Sequence, residues 1–160
     1  MLEIEFKEII LADLLEEIGE DKFNEIVSDF SCCKSDGKSL NKDVEDFLKK
    51  KAVIYENNKI ARTCLIFAHD KSNSLILVGY YSIAQKPFSF TDDVGRGIRK
   101  KIAGHHYFIT QPLPALLLGQ LGKNYSDKAY NGALIEGKAI LHYAFKRMKD
   151  AYIAMPFKLI

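Results

Sequence analysis

The chain has 160 residues, 48% of them apolar and 28% charged, which suits one globular domain spanning 1–160 with a core that needs neither metal nor disulfide. A net charge of +2 excludes nucleic-acid binding by bulk electrostatics, although not by a local patch, and no apolar run is long enough to span a bilayer, so no membrane partner is expected. The opening MLEIEFKEIILADLLEEIGEDK carries acidic residues throughout, unlike a secretory signal, so a cytoplasmic location is expected.

Leu2, Ile4 and Phe6 alternate with Glu3, Glu5 and Lys7, which predicts an edge strand over residues 2 to 7. Two short helices follow, broken near Gly19, with Leu14, Leu15 and Ile18 on one face and Phe23, Ile26, Val27 and Phe30 on the next. The segment from Ser31 to Leu40 reads as a loop. Its Cys32 and Cys33, with Cys64 further on, include no C-x-x-C pair and read as reduced structural thiols. Asn41 is placed to cap a helix whose apolar face is Val44, Phe47, Leu48 and Ala52, with Asp43 in the first turn and Lys49, Lys50 and Lys51 at a solvated end.

Ala61 to Ala68 and Leu75 to Ala84 predict a β-hairpin with a polar loop, the second strand ending near Pro87, Phe88 and Phe90. Asp92 to Ala103 is a short basic segment of helical character. Its Gly95-Arg96-Gly97 lacks the Lys-Ser/Thr ending of a P-loop, and its cations either form a solvated face or steer an acidic substrate such as RNA or CoA phosphates. His105 and His106 are neighbours in a loop with no thiolate or carboxylate cluster, so no metal site is expected.

The stretch from Leu113 to Ala144 carries the functional signal. Pro114 to Leu118 is a continuous apolar run, predicting a strand buried on both faces, and Gly122 to Lys128 reads as a polar loop. An amphipathic helix follows, with Leu134, Gly137, Leu141, Ala144 and Met148 on one face. Strand, glycine-bearing loop and helix suit a phosphate, because the first N–H groups of a helix have no internal partner, and at Gly132 and Gly137 no side chain holds the ligand away. The same pattern also fits an ordinary packed strand and helix whose glycines serve turns.

Phe30-Ser31-Cys32, Val44-Glu45-Asp46-Phe47-Leu48, Ala61-Arg62-Thr63, Gly79-Tyr80-Tyr81-Ser82-Ile83-Ala84 and Pro114 through Asn124 together resemble the GNAT superfamily of acyl-CoA N-acyltransferases. The nearest branch is that of small bacterial GNAT proteins, which includes the acetyltransferase toxins of toxin-antitoxin pairs. The resemblance implies a mixed, mostly antiparallel central sheet flanked by helices (α/β in the broad sense, α+β), and transfer of an acetyl group from acetyl-CoA, as cosubstrate, to an amine on a small molecule, a protein or an aminoacyl-tRNA. It implies that the backbone of Leu121, Gly122 and Lys123 pairs with pantetheine. It also implies that Gly132, Ala133, Leu134, Ile135 and Glu136 lie against the pyrophosphate, with Gly137-Lys138 opening the cofactor helix. Against the family's Gln/Arg-x-x-Gly-x-Gly/Ala, Gly132 stands at the first position and Ile135 at the first glycine, so only Gly137 matches.

Residues 151–160 supply one strand in place of the family's closing strands and tyrosine-bearing helix, so the usual C-terminal strands are expected to be missing. The residues mark no general base, and Tyr125, Tyr130 and Tyr152 are the candidate proton donors. The short ending also admits a second reading, an inactive or truncated GNAT-fold protein acting as a CoA-binding or interaction module. An exposed strand edge would then recruit a second copy, as a homodimer, or an antitoxin-like partner.

Overall fold

The computed structural model describes residues 4–33, 41–69, 72–104, 111–154 and 158–159. Four strands, β1 (Phe6–Ile10), β2 (Ala61–His69), β3 (Leu75–Phe88) and β4 (Leu113–Lys123), pair antiparallel in chain order, and β5 (Lys158–Leu159) joins β4 in parallel. Alternation in β2 and β3 divides the core into two layers. Leu65, Phe67, Leu77 and Tyr80 face the helices α1 (Leu11–Ser28), α2 (Lys42–Asp46) and α3 (Ala52–Asn57). Cys64, Ile66, Ala68, Val78 and Tyr81 form the other layer, with Ile140 and Ala144 of α5 (Gly137–Ala154). A further helix, α4 (Arg96–Ala103), lies between β3 and β4 in the chain.

On the first layer Tyr80 is fully buried, its hydroxyl donates to the Val44 carbonyl, and its ring stacks on Phe47 at 6.3 Å between centroids. On the second, Glu8 of β1 accepts from both the Tyr81 hydroxyl and the Arg147 guanidinium of α5, tying the edge strand to the last long helix.

Several elements depart from the sequence expectation. Among the described residues the first strand starts at Phe6, where the ladder begins opposite Ala68, and Leu2 and Glu3 lie outside them. The break at Gly19 is present, with φ +82°, a conformation open to glycine. Asn41 makes no side-chain cap. The lysine run does not end its helix. It sits in a π-helical turn (Phe47–Lys51) joining α2 to α3, where Lys49 and Lys50 each pair at 2.9 Å with Glu45 and Asp46 one turn earlier, and the helix continues because Tyr55 packs edge-on against Phe47. The expected loop lies outside the described residues from position 34 to 40, as do His105 and His106.

The run in β4 is not buried on both faces. Leu117 is 43% exposed, whereas Ala115 and Leu116 beside it are buried. The segment expected as a loop from Gly122 begins later, since Gly122 and Lys123 still belong to β4. The buried face of α5 is Ile140, Ala144 and Met148, leaving Gly137 exposed. Residues 151–154 extend that helix, and of the expected strand the described residues hold Lys158–Leu159. Among the described residues no helix is long and apolar enough to cross a membrane, and no three His, Cys, Asp or Glu side chains group as metal ligands.

Candidate functional site

The last rungs of the β3–β4 ladder are Tyr80 opposite Gly122 and Gly79 opposite Lys123. Beyond them Asn124, 4% exposed, pins the chain. Its amide N–H donates to the Val78 carbonyl at 2.9 Å and its Nδ2 to the Leu77 carbonyl at 2.7 Å, while Oδ1 accepts from Ser31 N at 3.2 Å and Ser126 N at 3.0 Å. Tyr125 N–H then donates to the Ser31 carbonyl at 2.8 Å. The end of β4 is thereby fastened to the segment leaving α1. A 3₁₀ turn (Asp127–Gly132) follows, in which Tyr130, Asn131 and Gly132 take φ of +51°, +52° and +81° in succession, reversing the chain toward α5.

A cavity of about 180 Å³ opens where these elements converge. Leu121, Gly122, Lys123 and Tyr125 line it from the β4 side and Gly137 from the start of α5, with Cys32, Asn41 and Val44 closing the far wall. A side chain on Gly137 would meet nothing within 4 Å, so its backbone stands open. The first N–H groups of α5 lack intrahelical acceptors and carry the positive end of its dipole. Lys123 adds a cation, its Nζ 5.2 Å from the Tyr125 ring centre. Glu136 would oppose an anion, but Lys138 neutralises it at 2.8 Å, and that hydrogen bond and charge hold the Glu136 carboxyl below the usual carboxylate range. Burial, helped by the Glu45 charge, pushes the Cys32 thiol up to about 12, so this wall is neutral at ordinary pH.

Of the residues singled out from sequence, Leu121, Gly122, Lys123, Tyr125 and Gly137 thus share one cavity. Gly132 lies beneath the Tyr125 ring, where a Cβ would stand 2.7 Å from Cδ1. Ile135 is core, Leu134 packs against the same layer, and Ala133, Glu136 and Lys138 face solvent. Tyr130 is exposed on its turn. Tyr152 is half exposed on the last turn of α5, about 22 Å along the helix axis from Gly137. Sequence reasoning missed Asn124 as an anchor, and missed the wall formed by Cys32 and Val44.

One feature of β4 sets its outer edge apart. Ser82 pairs with Gln120 and Ile83 with Leu118, so Gly119 is an extra residue, a bulge. Beyond Leu116 that edge has no strand partner among the described residues.

The same architecture recurs in solved structures. A Tyr-to-Phe mutant of KacT matches with a TM-score of 0.61 and 19% identity, covering 96% of this chain and 74% of that one. AtaT complexed with acetyl-methionyl-tRNAfMet matches at 0.60 and 18%, covering 96% and 74%. A Tyr-to-Phe mutant of the AtaT toxin, bound to the C-terminus of the antitoxin AtaR and to acetyl-CoA, matches at 0.58 and 17%, covering 95% and 71%.

This chain has the GNAT fold.

No family model and no curated protein matches the sequence. A four-stranded antiparallel sheet flanked by helices is what the chain shares with these structures. The cavity at the head of α5 therefore sits in a fold that, in AtaT, is seen with acetyl-CoA.

Proposed function

We propose that the chain is an acetyl-CoA-dependent N-acetyltransferase. The observation that carries this reading is the cavity in which the edge of β4, unpartnered among the described residues, meets the open backbone of Gly137. Backbone groups of Leu121, Gly122 and Lys123 can pair with an amide-bearing arm as a strand would, and the N–H groups of Gly137 and Lys138 suit a diphosphate. Lys123 offsets charge there. In the transfer, the amine gives up a proton, its lone pair forms the C–N bond, the C–S bond breaks, and the thiolate leaves with that electron pair and takes up a proton. A free N–H on the β4 edge is the donor suited to the developing oxyanion. An extended pantetheine arm is equivalent to about four residues of backbone, so from Lys123 its thioester reaches about Gly119. Tyr125 is then at the diphosphate end, and Tyr152, on the far end of α5, is the tyrosine better placed to protonate a thiolate.

The fold neighbours extend the reading to partners. AtaT is seen with acetyl-methionyl-tRNAfMet and with the antitoxin AtaR, so an aminoacyl-tRNA acceptor and an antitoxin-like partner in a cytoplasmic setting are the first alternatives to test, beside peptide and small-molecule amines.

Acetyl-CoA titration followed by thermal unfolding tests the proposal. At a hundred times its Kd a ligand stabilises by about 2.7 kcal/mol, a rise in Tm of roughly 5–10 °C for a chain of this size. Gly137→Glu should keep the unliganded Tm, because nothing lies within 4 Å of the added Cβ, and should lose the shift. Absence of a shift in the wild type overturns the reading, as does a full shift in Gly137→Glu.

A further inference from the structure

A second cavity, of about 260 Å³, opens at the other end of β4, between the end of α3, the start of β2, the end of β3 and the last turns of α5. Its walls divide by chemistry. Ile60, Ile83 and Leu116 give it an apolar floor, and Lys59, Arg62 and Arg147 stand around it. Arg147 is taken up by Glu8. Arg62, half exposed, is steadied by Glu56 at 3.4 Å, a carboxylate 2% exposed whose Oε2 accepts the Thr63 N–H at 2.9 Å. Lys59 projects from the turn just before, so the α3–β2 side of the cavity carries two cations against one carboxylate. In the sheet Arg62 pairs with Ile83 and Ile83 with Leu118. The Arg62 backbone is therefore two strand spacings, roughly 10 Å, from β4 and about three from a thioester paired on the outer edge of β4, a span that the reach of the Arg62 side chain shortens to about 8–10 Å.

We propose that this cavity receives the acceptor, and that Lys59 and Arg62 select an amine whose chain carries an anionic group, carboxylate or phosphate, about 8–10 Å from the nitrogen. This rests on the acetyltransferase reading above and adds to it the substrate class. The anion is held at Arg62 and Lys59, the stem lies along Ile83 and Leu116, and the amine meets the acetyl group beside the Gly119 bulge. Glu56 is a positioning residue, fixing Arg62 from behind.

Acetyl transfer to hexylamine, 6-aminohexanoate, 6-aminohexyl phosphate and 3-aminopropanoate tests it. KM for the two long anionic acceptors should lie on the order of tenfold below that of hexylamine, and the short 3-aminopropanoate should gain nothing. Comparing the carboxylate with the phosphate tells which anion the wall prefers. Arg62→Gln and Lys59→Gln should each raise KM for 6-aminohexanoate severalfold while leaving kcat, the hexylamine KM and the acetyl-CoA thermal shift unchanged, and Arg62→Lys should restore part of the loss. Equal KM for hexylamine and 6-aminohexanoate, or a KM indifferent to both substitutions, overturns the inference. If acetyl-CoA stabilises the protein but calorimetry detects no 6-aminohexanoate binding to the CoA-loaded chain, this inference falls alone. If acetyl-CoA itself does not stabilise it, the acetyltransferase reading falls first.

Discussion

Gly122 and Tyr80 stand opposite each other across β3 and β4 with no room for a methyl group, since a Cβ on Gly122 would lie 2.5 Å from the ring Cε1 and 2.8 Å from Val44 Cγ1. The ring has no freedom to move away, being fully buried, hydrogen bonded to Val44 and stacked on Phe47. Gly122→Ala should therefore destabilise the fold by about 1–3 kcal/mol, lowering Tm by roughly 3–10 °C. Calorimetry showing an unchanged Tm would mean that the aromatic cluster repacks freely.

Asn124 satisfies four backbone partners from one buried position, through Leu77, Val78, Ser31 and Ser126. Asn124→Ala removes the three side-chain bonds and leaves the Leu77 carbonyl and two N–H groups unpaired, at a cost of about 2–4 kcal/mol by urea unfolding. Asn124→Asp keeps the acceptor but sets a buried carboxylate oxygen against the Leu77 carbonyl in place of the donor, so at neutral pH it should be no more stable than alanine. The order of the three proteins is the check.

Glu45 is 8% exposed, accepting from Lys49 Nζ at 2.9 Å and Cys32 N at 3.2 Å. Burial works against its ionisation, but the Lys49 hydrogen bond, the Cys32 N–H and the charges of Lys49 and Lys42 outweigh it and hold the carboxyl below its ordinary value of 4.5. With the folded value depressed, the contribution is complete above about pH 4.5 and is lost as pH falls through the folded value. Glu45→Gln should cost about 1–2 kcal/mol at pH 7 and markedly less at pH 3. Urea midpoints at the two pH values measure the difference, and an equal cost at both would show that the Glu45 charge does not matter.

Elements whose partners are close in sequence were legible. The β2–β3 hairpin follows from its β-branched and aromatic runs, and the kink in α1 from Gly19. The strand, turn and helix that bring Lys123 and Gly137 to one cavity were also legible. The far wall of that cavity did not, because Cys32 and Val44 reach it across the fold. Cys32 donates its thiol to the Lys123 carbonyl from 91 positions away. The face of α5 was misjudged because Ala144 and Met148 belong to both apolar rows, and only the sheet beneath selects Ile140 over Leu141 as their companion. Leu117 looked buried because the run around it is apolar, whereas its exposure is set by what packs on its face of the sheet, which an apolar run does not reveal.

The union of Glu8 with Tyr81 and Arg147 also bears on how the chain is made. Its outer members lie 139 positions apart, so a ribosome must release everything through Arg147 before the guanidinium can reach the carboxylate. Until then β1 can lie along β2 but leaves Glu8 without its counter-charge, and contacts at such separation are slow to close. During synthesis β1 should therefore lock into place only after β2, β3 and β4 have been made, although it emerges before them.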